Sequence, residues 1–132
     1  MLMSPEKENA KFGISWKPKV EMIKRGDIYW ANLSDARGYE TKDPHPCLVI
    51  SNDIQNRIGK RIIIAPLTSK IKKHYPFEVV IVKLKSKVML DQTRVITIKR
   101  LGKKRISWLA SEEMKKVDLA LHLALGINFC PH

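Results

Sequence analysis

The sequence is poor in the residues that build metal centres and disulfide frameworks. Only two cysteines, Cys47 and Cys130, occur in the 132 residues, and four histidines are scattered along the chain. No Cys/His cluster has the short spacing of a zinc site, so the sequence predicts neither a metal nor another cofactor. We interpret the two cysteines as reduced thiols, which are typical of the cytoplasm, and we expect a cytoplasmic protein.

Several functional classes are excluded because their signatures are missing. No apolar run approaches the roughly 18 residues that a membrane-spanning helix needs. The first residues lack the apolar core of a secretory signal, so we expect no export and no membrane partner. The chain also has no glycine-rich phosphate loop, no HExxH pair and no serine nucleophile elbow.

Acidic residues are scarce, and the imbalance is local. The chain has 25 Lys and Arg against 13 Asp and Glu, a net charge of +12. Residues 70–105 contain 12 of the basic residues and only two acidic ones, a net of +10, while all the others together contribute +2. Such a segment attracts polyanions, and we interpret it as a nucleic-acid-binding surface. A merely solvated basic face is the alternative reading.

Short runs of β-branched and aromatic residues predict a strand-rich domain that follows a polar extension over residues 1–21. The second predicted strand is apolar on both faces, so we expect it to be central. Pro66 has no N–H, so we expect the third strand to be an edge or to bulge at its end. The predicted strands are residues 27–33, 47–51, 61–67 and 77–84, with two more, or one bent strand, at 88–90 and 93–98.

One amphipathic helix is predicted at the end of the domain. Ser111 is its expected N-cap, and Gly126 its expected stop. Asp118 and His122 fall on the face opposite the apolar stripe, so we expect His122 to be solvated. The stripe comprises Met114, Val117, Leu121, Ala124 and Leu125, widened by Leu119 and Leu123. Together the elements predict a mainly β fold with α, a small and strongly bent antiparallel barrel.

Polar residues at strand ends are the candidate chemistry. His45 precedes the second predicted strand, and Thr68 closes the third. Asp91 and Arg94 flank a turn, with Gln92 on the face of Arg94 if that strand is regular. A histidine, a carboxylate, an arginine and a hydroxyl near one phosphate suffice to cleave RNA without a metal. Turn hydrogen bonds and surface cations explain the same residues equally well, so chemistry alone predicts a nucleic-acid-binding barrel and leaves catalysis open.

Several segments, in order, match one known family. They are KRGDIYW at 24–30, GYE at 38–40, PCLVISND at 46–53, APLTS at 65–69, DQTR at 91–94 and the helix at 114–126. On these segments the sequence resembles the MazF/PemK toxins of type II toxin–antitoxin systems, over residues 22–128. Residues 1–21 lie outside the resemblance.

The resemblance implies a specific fold and activity. Members of this family are small SH3-like barrels that form homodimers. They are metal-independent endoribonucleases that cut single-stranded RNA at short sequences, leaving a 2′,3′-cyclic phosphate and a 5′-hydroxyl. A MazE-like antitoxin blocks the RNA groove, and the loop corresponding to residues 34–46 helps to gate it.

The resemblance also implies site residues, with three departures. Thr68 falls on the catalytic threonine and Asp91 on a proton carrier of some members, while His45 replaces the catalytic arginine. Tyr39 replaces a histidine that some members use, and Met89 replaces an arginine. We therefore expect His45, Thr68, Asp91 and Arg94 to be catalytic. The expected RNA-binding residues are Tyr39, Glu40, Ser69, Lys70, Lys72, Lys73 and Gln92.

The replacement of arginine by His45 keeps two rival functions open. A neutral histidine lacks the permanent charge and the bidentate phosphate contact of arginine, although it is better suited to proton transfer. One rival is a non-catalytic RNA-binding barrel, which would bind RNA in a salt-sensitive way without cutting it. The other is a gyrase-poisoning toxin of the same fold, which would leave RNA intact.

Overall fold

The chain forms an antiparallel sheet with a long helix on one face. The structure, a computed structural model, describes residues 22–35, 37–39 and 44–127. The predicted extension, Glu40 and Cys130 lie outside the described residues. The strands are β1 (Asp27–Ala31), β2 (His45–Val49), β3 (Arg61–Thr68), β4 (Glu78–Ile81), β5 (Ser86–Met89), β6 (Arg94–Thr97) and β7 (Leu101–Trp108). The helices are α1 (Asp53–Ile58) and α2 (Ser111–Leu125), and three single 3₁₀ turns lie at Val82–Leu84, Leu90–Gln92 and Ile98–Arg100.

The sheet has seven strands in the order β4-β5-β3-β2-β1-β7, and β6 also pairs with β3. Every pair is antiparallel. The predicted fold class, mainly β with a C-terminal helix, is confirmed. β2 lies between β1 and β3, so its predicted central position is confirmed as well.

Both faces of the sheet carry a buried apolar cluster, because side chains alternate along each strand. On the first face, Ile28 and Leu48 pack with Val117 and Ala120 of α2. The second face is defined by Tyr29, Cys47, Val49, Ile62, Ile64 and Ile96. The chain runs from β6, beside β3, to β7, beside β1. The turn between them therefore crosses the end of the second face, and its Ile98 packs on that cluster.

β7 was not predicted from the sequence. Residues 103–106 are all exposed, and three of them are Lys or Arg, so the segment has no apolar alternation. β7 is the outer strand of the sheet beside β1. Charged side chains are typical of such edges because they prevent pairing with another chain.

The expectation for Pro66 was wrong in one part. β3 is not an edge strand, since it pairs with β2 on one side and with β5 and β6 on the other. The carbonyl of Ile63 accepts the N–H of Ile50 at 2.9 Å, so alternate backbone groups of β3 point toward β2. The nitrogen of Pro66 then points the other way, where the turn Leu90–Gln92 separates β5 from β6. A proline is tolerated there because no ladder bond is needed.

Helix α2 differs from its prediction in two details. Its N-cap is Ala110, whose N–H is accepted by Glu113 Oε1 at 2.8 Å. Gly126 ends the helix in the left-handed conformation, φ 69°, as predicted. His122 is half-buried rather than solvated, and its Nδ1 donates to the carbonyl of Asp118 at 2.8 Å.

Three leucines of α2 are exposed, Leu119, Leu123 and Leu125. Within the described ranges no helix is long and apolar enough to cross a membrane.

Candidate active site

Strand register brings three of the four predicted catalytic residues to one face of the sheet. Directly paired residues of antiparallel strands point to the same face. Cys47 pairs with Pro66, so continuing that register by two residues places His45 opposite Thr68. Arg94 pairs with Ile64, which belongs to the second face. The second face, which carries Cys47, therefore also carries His45, Thr68 and Arg94.

His45 is the first residue of β2, whereas the sequence placed it in the preceding loop. Its Nδ1 lies 3.0 Å from the carbonyl oxygen of Leu67. A carbonyl oxygen can only accept, so Nδ1 must carry the hydrogen. In the neutral ring Nε2 then holds the lone pair, and it is the nitrogen that can take up a proton. The strand thus fixes both the position and the tautomer of His45.

Thr68 is the last residue of β3 and pairs with Lys87 of β5. Its Oγ1 accepts the N–H of Lys70 at 3.3 Å, which holds the start of the next loop. Because Oγ1 is the acceptor in this bond, its own O–H can donate to an oxygen of a bound phosphate.

Arg94 is held by an acidic residue, Asp35, that no sequence motif marks. Arg94 Nη2 donates to Asp35 Oδ1 at 2.8 Å, and Arg100 donates to both oxygens of Asp35, at 2.6 and 2.8 Å. The hydrogen bonds from Arg100, then Arg94, hold the pKa of the Asp35 carboxyl well below its usual range. The same contact with Asp35 raises the pKa of Arg100. We call these three residues the Asp35 clamp. No local pattern marks it, because Asp35 is more than fifty residues from either arginine.

Cys47 lies in the apolar centre of this face and is fully buried. Burial raises the pKa of the Cys47 thiol to about 12, against an opposing effect of the Arg94 charge. The thiol is therefore protonated at neutral pH and inert as a nucleophile, since only the thiolate attacks.

Cys47 is expected to resist alkylation in the native protein. At about pH 8 its pKa predicts labelling by iodoacetamide roughly a thousandfold slower than for an ordinary thiol. The measurement is labelling followed by mass mapping of the Cys47 peptide, with protein unfolded in guanidinium as the reference. Equal rates in the two samples would contradict the buried position of this side chain.

Asp91 and Gln92 lie in the 3₁₀ turn Leu90–Gln92, which packs against β3. Asp91 is exposed. The Gln92 side chain donates to the sulfur of Met89 at 3.4 Å. The prediction that Gln92 and Arg94 share a strand face was wrong, because Gln92 is in the turn and β6 begins at Arg94. The register that unites His45, Thr68 and Arg94 does not extend to Asp91.

The lysine-rich loop between β3 and β4 is anchored by a buried ion pair. Lys70, Lys72 and Lys73 are exposed, as is Ser69. Lys87 Nζ donates to the carbonyl of Lys73 at 2.6 Å and to Glu78 Oε1 at 2.9 Å. The side chains of Lys87 and Glu78 are only 10% and 6% exposed. Lys87 thus ties the backbone of the loop, at Lys73, to β5, the strand that pairs with Thr68.

The β1–β2 loop contributes Asp35 and also Tyr39, which is fully exposed. The predicted RNA contact of Glu40 lies outside the described residues. Met89, which the resemblance aligns with an arginine of some family members, is buried. In the parts of the chain that the structure describes, no group of three or more His, Cys, Asp or Glu is placed to hold a metal ion.

Known proteins match this chain in both sequence and structure. The family model of the PemK-like, MazF-like toxin of type II toxin–antitoxin systems matches residues 24–125. A mycobacterial endoribonuclease in complex with its cognate antitoxin is 25% identical, with a TM-score of 0.70 over 82% of this chain and 99% of that one. MazF from Deinococcus radiodurans is 24% identical, with a TM-score of 0.71 over 81% of this chain and 99% of that one.

Proposed function

Since this chain belongs to the family of PemK-like and MazF-like toxins of type II toxin–antitoxin systems, we propose that it is a metal-independent, sequence-specific endoribonuclease. Its substrate is single-stranded RNA, and its products carry a 2′,3′-cyclic phosphate and a 5′-hydroxyl. A MazE-like antitoxin and a second copy of the chain are its proposed partners. Solved relatives include MazE–MazF complexes from Deinococcus radiodurans.

The observation that carries this proposal is the strand register that puts His45, Thr68 and Arg94 on one face of the sheet. These side chains supply a proton acceptor, a hydroxyl donor and a permanent cation. Exposed lysines lie at positions 70, 72 and 73, in the loop that follows Thr68. A phosphodiester bound at this face meets the groups that RNA transesterification requires, and the lysines extend the contact along the backbone.

The proposed reaction is an attack of the 2′-oxygen on the adjacent phosphorus. The O2′–P bond forms and the P–O5′ bond breaks, so one proton must leave the 2′-hydroxyl and one must reach the 5′-oxygen. His45 and Asp91 share these transfers, and the free lone pair on Nε2 supports His45 as the acceptor of the first proton. Arg94 and Thr68 stabilise the negative charge that develops on the phosphate oxygens.

The test is incubation of a long, defined single-stranded RNA with the protein in excess EDTA. We expect discrete cuts with 5′-hydroxyl ends and 2′,3′-cyclic phosphates, identified by end-specific ligation and mass spectrometry. Thr68→Val removes the hydroxyl at nearly constant volume and should reduce cutting about a hundredfold or more. Thr97→Val, an exposed threonine that ends β6 as Thr68 ends β3, is the matched control and should cut normally.

Three outcomes would contradict the proposal in different ways. Cleavage only after Mg²⁺ is added would overturn the metal-independent mechanism. Salt-sensitive binding without cleavage would identify a binding barrel. Neither binding nor cleavage would direct the search to a protein target such as gyrase.

A further inference from the structure

The Asp35 clamp places two arginines on a single carboxylate. Arg100 contacts both oxygens of Asp35, and Arg94 contacts one of them. Two guanidinium groups that converge on one carboxylate have the arrangement of an anion-binding site whose ligand belongs to the protein itself.

The position of the clamp connects it to the candidate active site. Arg94 begins β6 on the second face, and its charge acts on the Cys47 thiol in the centre of that face. Arg100 ends the turn between β6 and β7, and its carbonyl accepts the N–H of Asn32 at 3.0 Å, which joins this turn to the chain just after β1. The backbone of Arg100 is therefore fixed independently of its side-chain contact with Asp35.

The ion pairs of the Asp35 clamp contribute little to the stability of the fold. The Asp35 side chain is 52% exposed, and those of Arg94 and Arg100 are 25% and 33% exposed. Ion pairs exposed to this degree contribute little to folding, because water and salt screen them. For the same reason, a stronger anion can displace the carboxylate at small cost.

We propose that Arg94 and Arg100 form a phosphodiester-binding site for RNA and that the Asp35 carboxylate occupies this site in the free protein as an internal substitute for phosphate. The two non-bridging oxygens of a phosphodiester match the two carboxylate oxygens, because both groups accept the parallel N–H bonds of a guanidinium fork. Asp35 must leave when RNA binds, so it weakens binding and keeps the two arginines paired until a substrate arrives. This inference rests on the proposed function for the identity of the anion as RNA.

The test measures binding and does not require cleavage. The probe is a short single-stranded RNA with 2′-O-methyl groups, which cannot be cut through its 2′-oxygen, and affinity is followed by fluorescence anisotropy at several salt concentrations. Asp35→Asn keeps the shape and removes the charge, and we expect binding about fivefold tighter. Arg100→Gln should weaken binding and reduce the slope of log K against log salt by about 0.7. Arg100→Gln should also abolish the gain in a double variant with Asp35→Asn.

The matched control is Asp118→Asn. Asp118 is 47% exposed and pairs with Arg25 at 2.7 Å, so the control makes the same change in net charge at an ion pair of similar exposure. We expect it to change affinity less than twofold. An equal gain in both asparagine variants would overturn the proposal, because the effect would be one of net charge. Weaker or unchanged binding of Asp35→Asn would also overturn it, because Asp35 would then only hold the loop.

The outcomes also separate this inference from the proposed function. If the wild type cuts RNA and Asp35→Asn binds no tighter, the clamp inference fails alone. If no variant cuts RNA and Asp35→Asn binds tighter in an Arg100-dependent way, the endoribonuclease proposal fails and the phosphodiester site stands.

Discussion

Replacing His45 with alanine is expected to lower the rate of RNA cleavage by about 100- to 10,000-fold, the range typical of a lost general acid or base. Extending the β2–β3 register by two residues places His45 opposite Thr68. The bond from Nδ1 to the Leu67 carbonyl leaves the lone pair on Nε2. Alanine removes the proton acceptor but leaves β2 in place. RNA affinity should therefore change much less than the rate, which single-turnover cleavage and anisotropy measure separately.

Two further variants separate proton transfer from charge. His45→Gln keeps a hydrogen-bond donor without an acid–base group, so it should be as slow as alanine. His45→Arg adds a permanent charge at the position that the resemblance aligns with a catalytic arginine, and it should tighten phosphate binding. If the wild type proves inactive and His45→Arg cuts RNA, then His45 has no catalytic role. The protein would have kept its RNA-binding surface and lost the catalytic group at this position.

The same role has a signature in the pH dependence. A group that accepts a proton in the rate-limiting step must be unprotonated, so the wild-type rate should rise with pH. The pKa of Asp35 is held below its usual range, so this carboxylate stays ionised near neutral pH. It therefore adds no pH dependence of its own to the cleavage rate there. A flat profile would exclude His45 as the proton carrier.

Replacing Lys87 with methionine is expected to destabilise the fold by about 3–5 kcal/mol, because Glu78 is left buried and without its cation. The Lys87 and Glu78 side chains are 10% and 6% exposed and 2.9 Å apart. Lys87 also donates to the carbonyl of Lys73, so its loss should release the lysine-rich loop. Urea unfolding followed by tryptophan fluorescence gives the free energy, and native-state proteolysis at residues 70–76 reports on the loop.

The control for this prediction is Lys115→Met. Lys115 pairs with Glu112 at 3.2 Å, but the two side chains are 70% and 82% exposed. Its loss should cost less than about 0.5 kcal/mol. A double change of Lys87→Met with Glu78→Leu should recover most of the stability, because no buried charge then remains. A loss below about 1 kcal/mol for Lys87→Met alone would mean that water reaches the pair.

Local pattern was enough to predict most of the elements. Short apolar runs rich in β-branched and aromatic residues identified β1, β2 and β3, and the apolar stripe together with Gly126 identified α2. β7 was missed because its exposed residues are mostly charged, and an edge strand needs no apolar face to pair through its backbone. His45 was placed in a loop because the proline after it suggested one, whereas β2 pairs with β1 through both His45 and Pro46.

The site was only partly accessible from sequence. Thr68 and Arg94 were identified by residue type and by resemblance, yet their common face follows from strand register, which no local pattern specifies. Asp35, Arg100 and Lys87 were missed because each acts through a partner that only the fold brings near. Ionic contacts of this kind depend on tertiary geometry and leave no periodic signal in the chain.

β3 pairs with three strands, and this has a consequence for how the two sides of the site fluctuate. A strand bonded to β2, β5 and β6 cannot separate from its neighbours without breaking the sheet, so its opening free energy approaches that of global unfolding. Thr68 inherits that rigidity at the strand end. Asp35 lies in a turn outside the strands, so we expect it to open at a lower free energy than β3. If RNA binds at this face as proposed, the Asp35 side can adapt to the substrate while Thr68 stays in place.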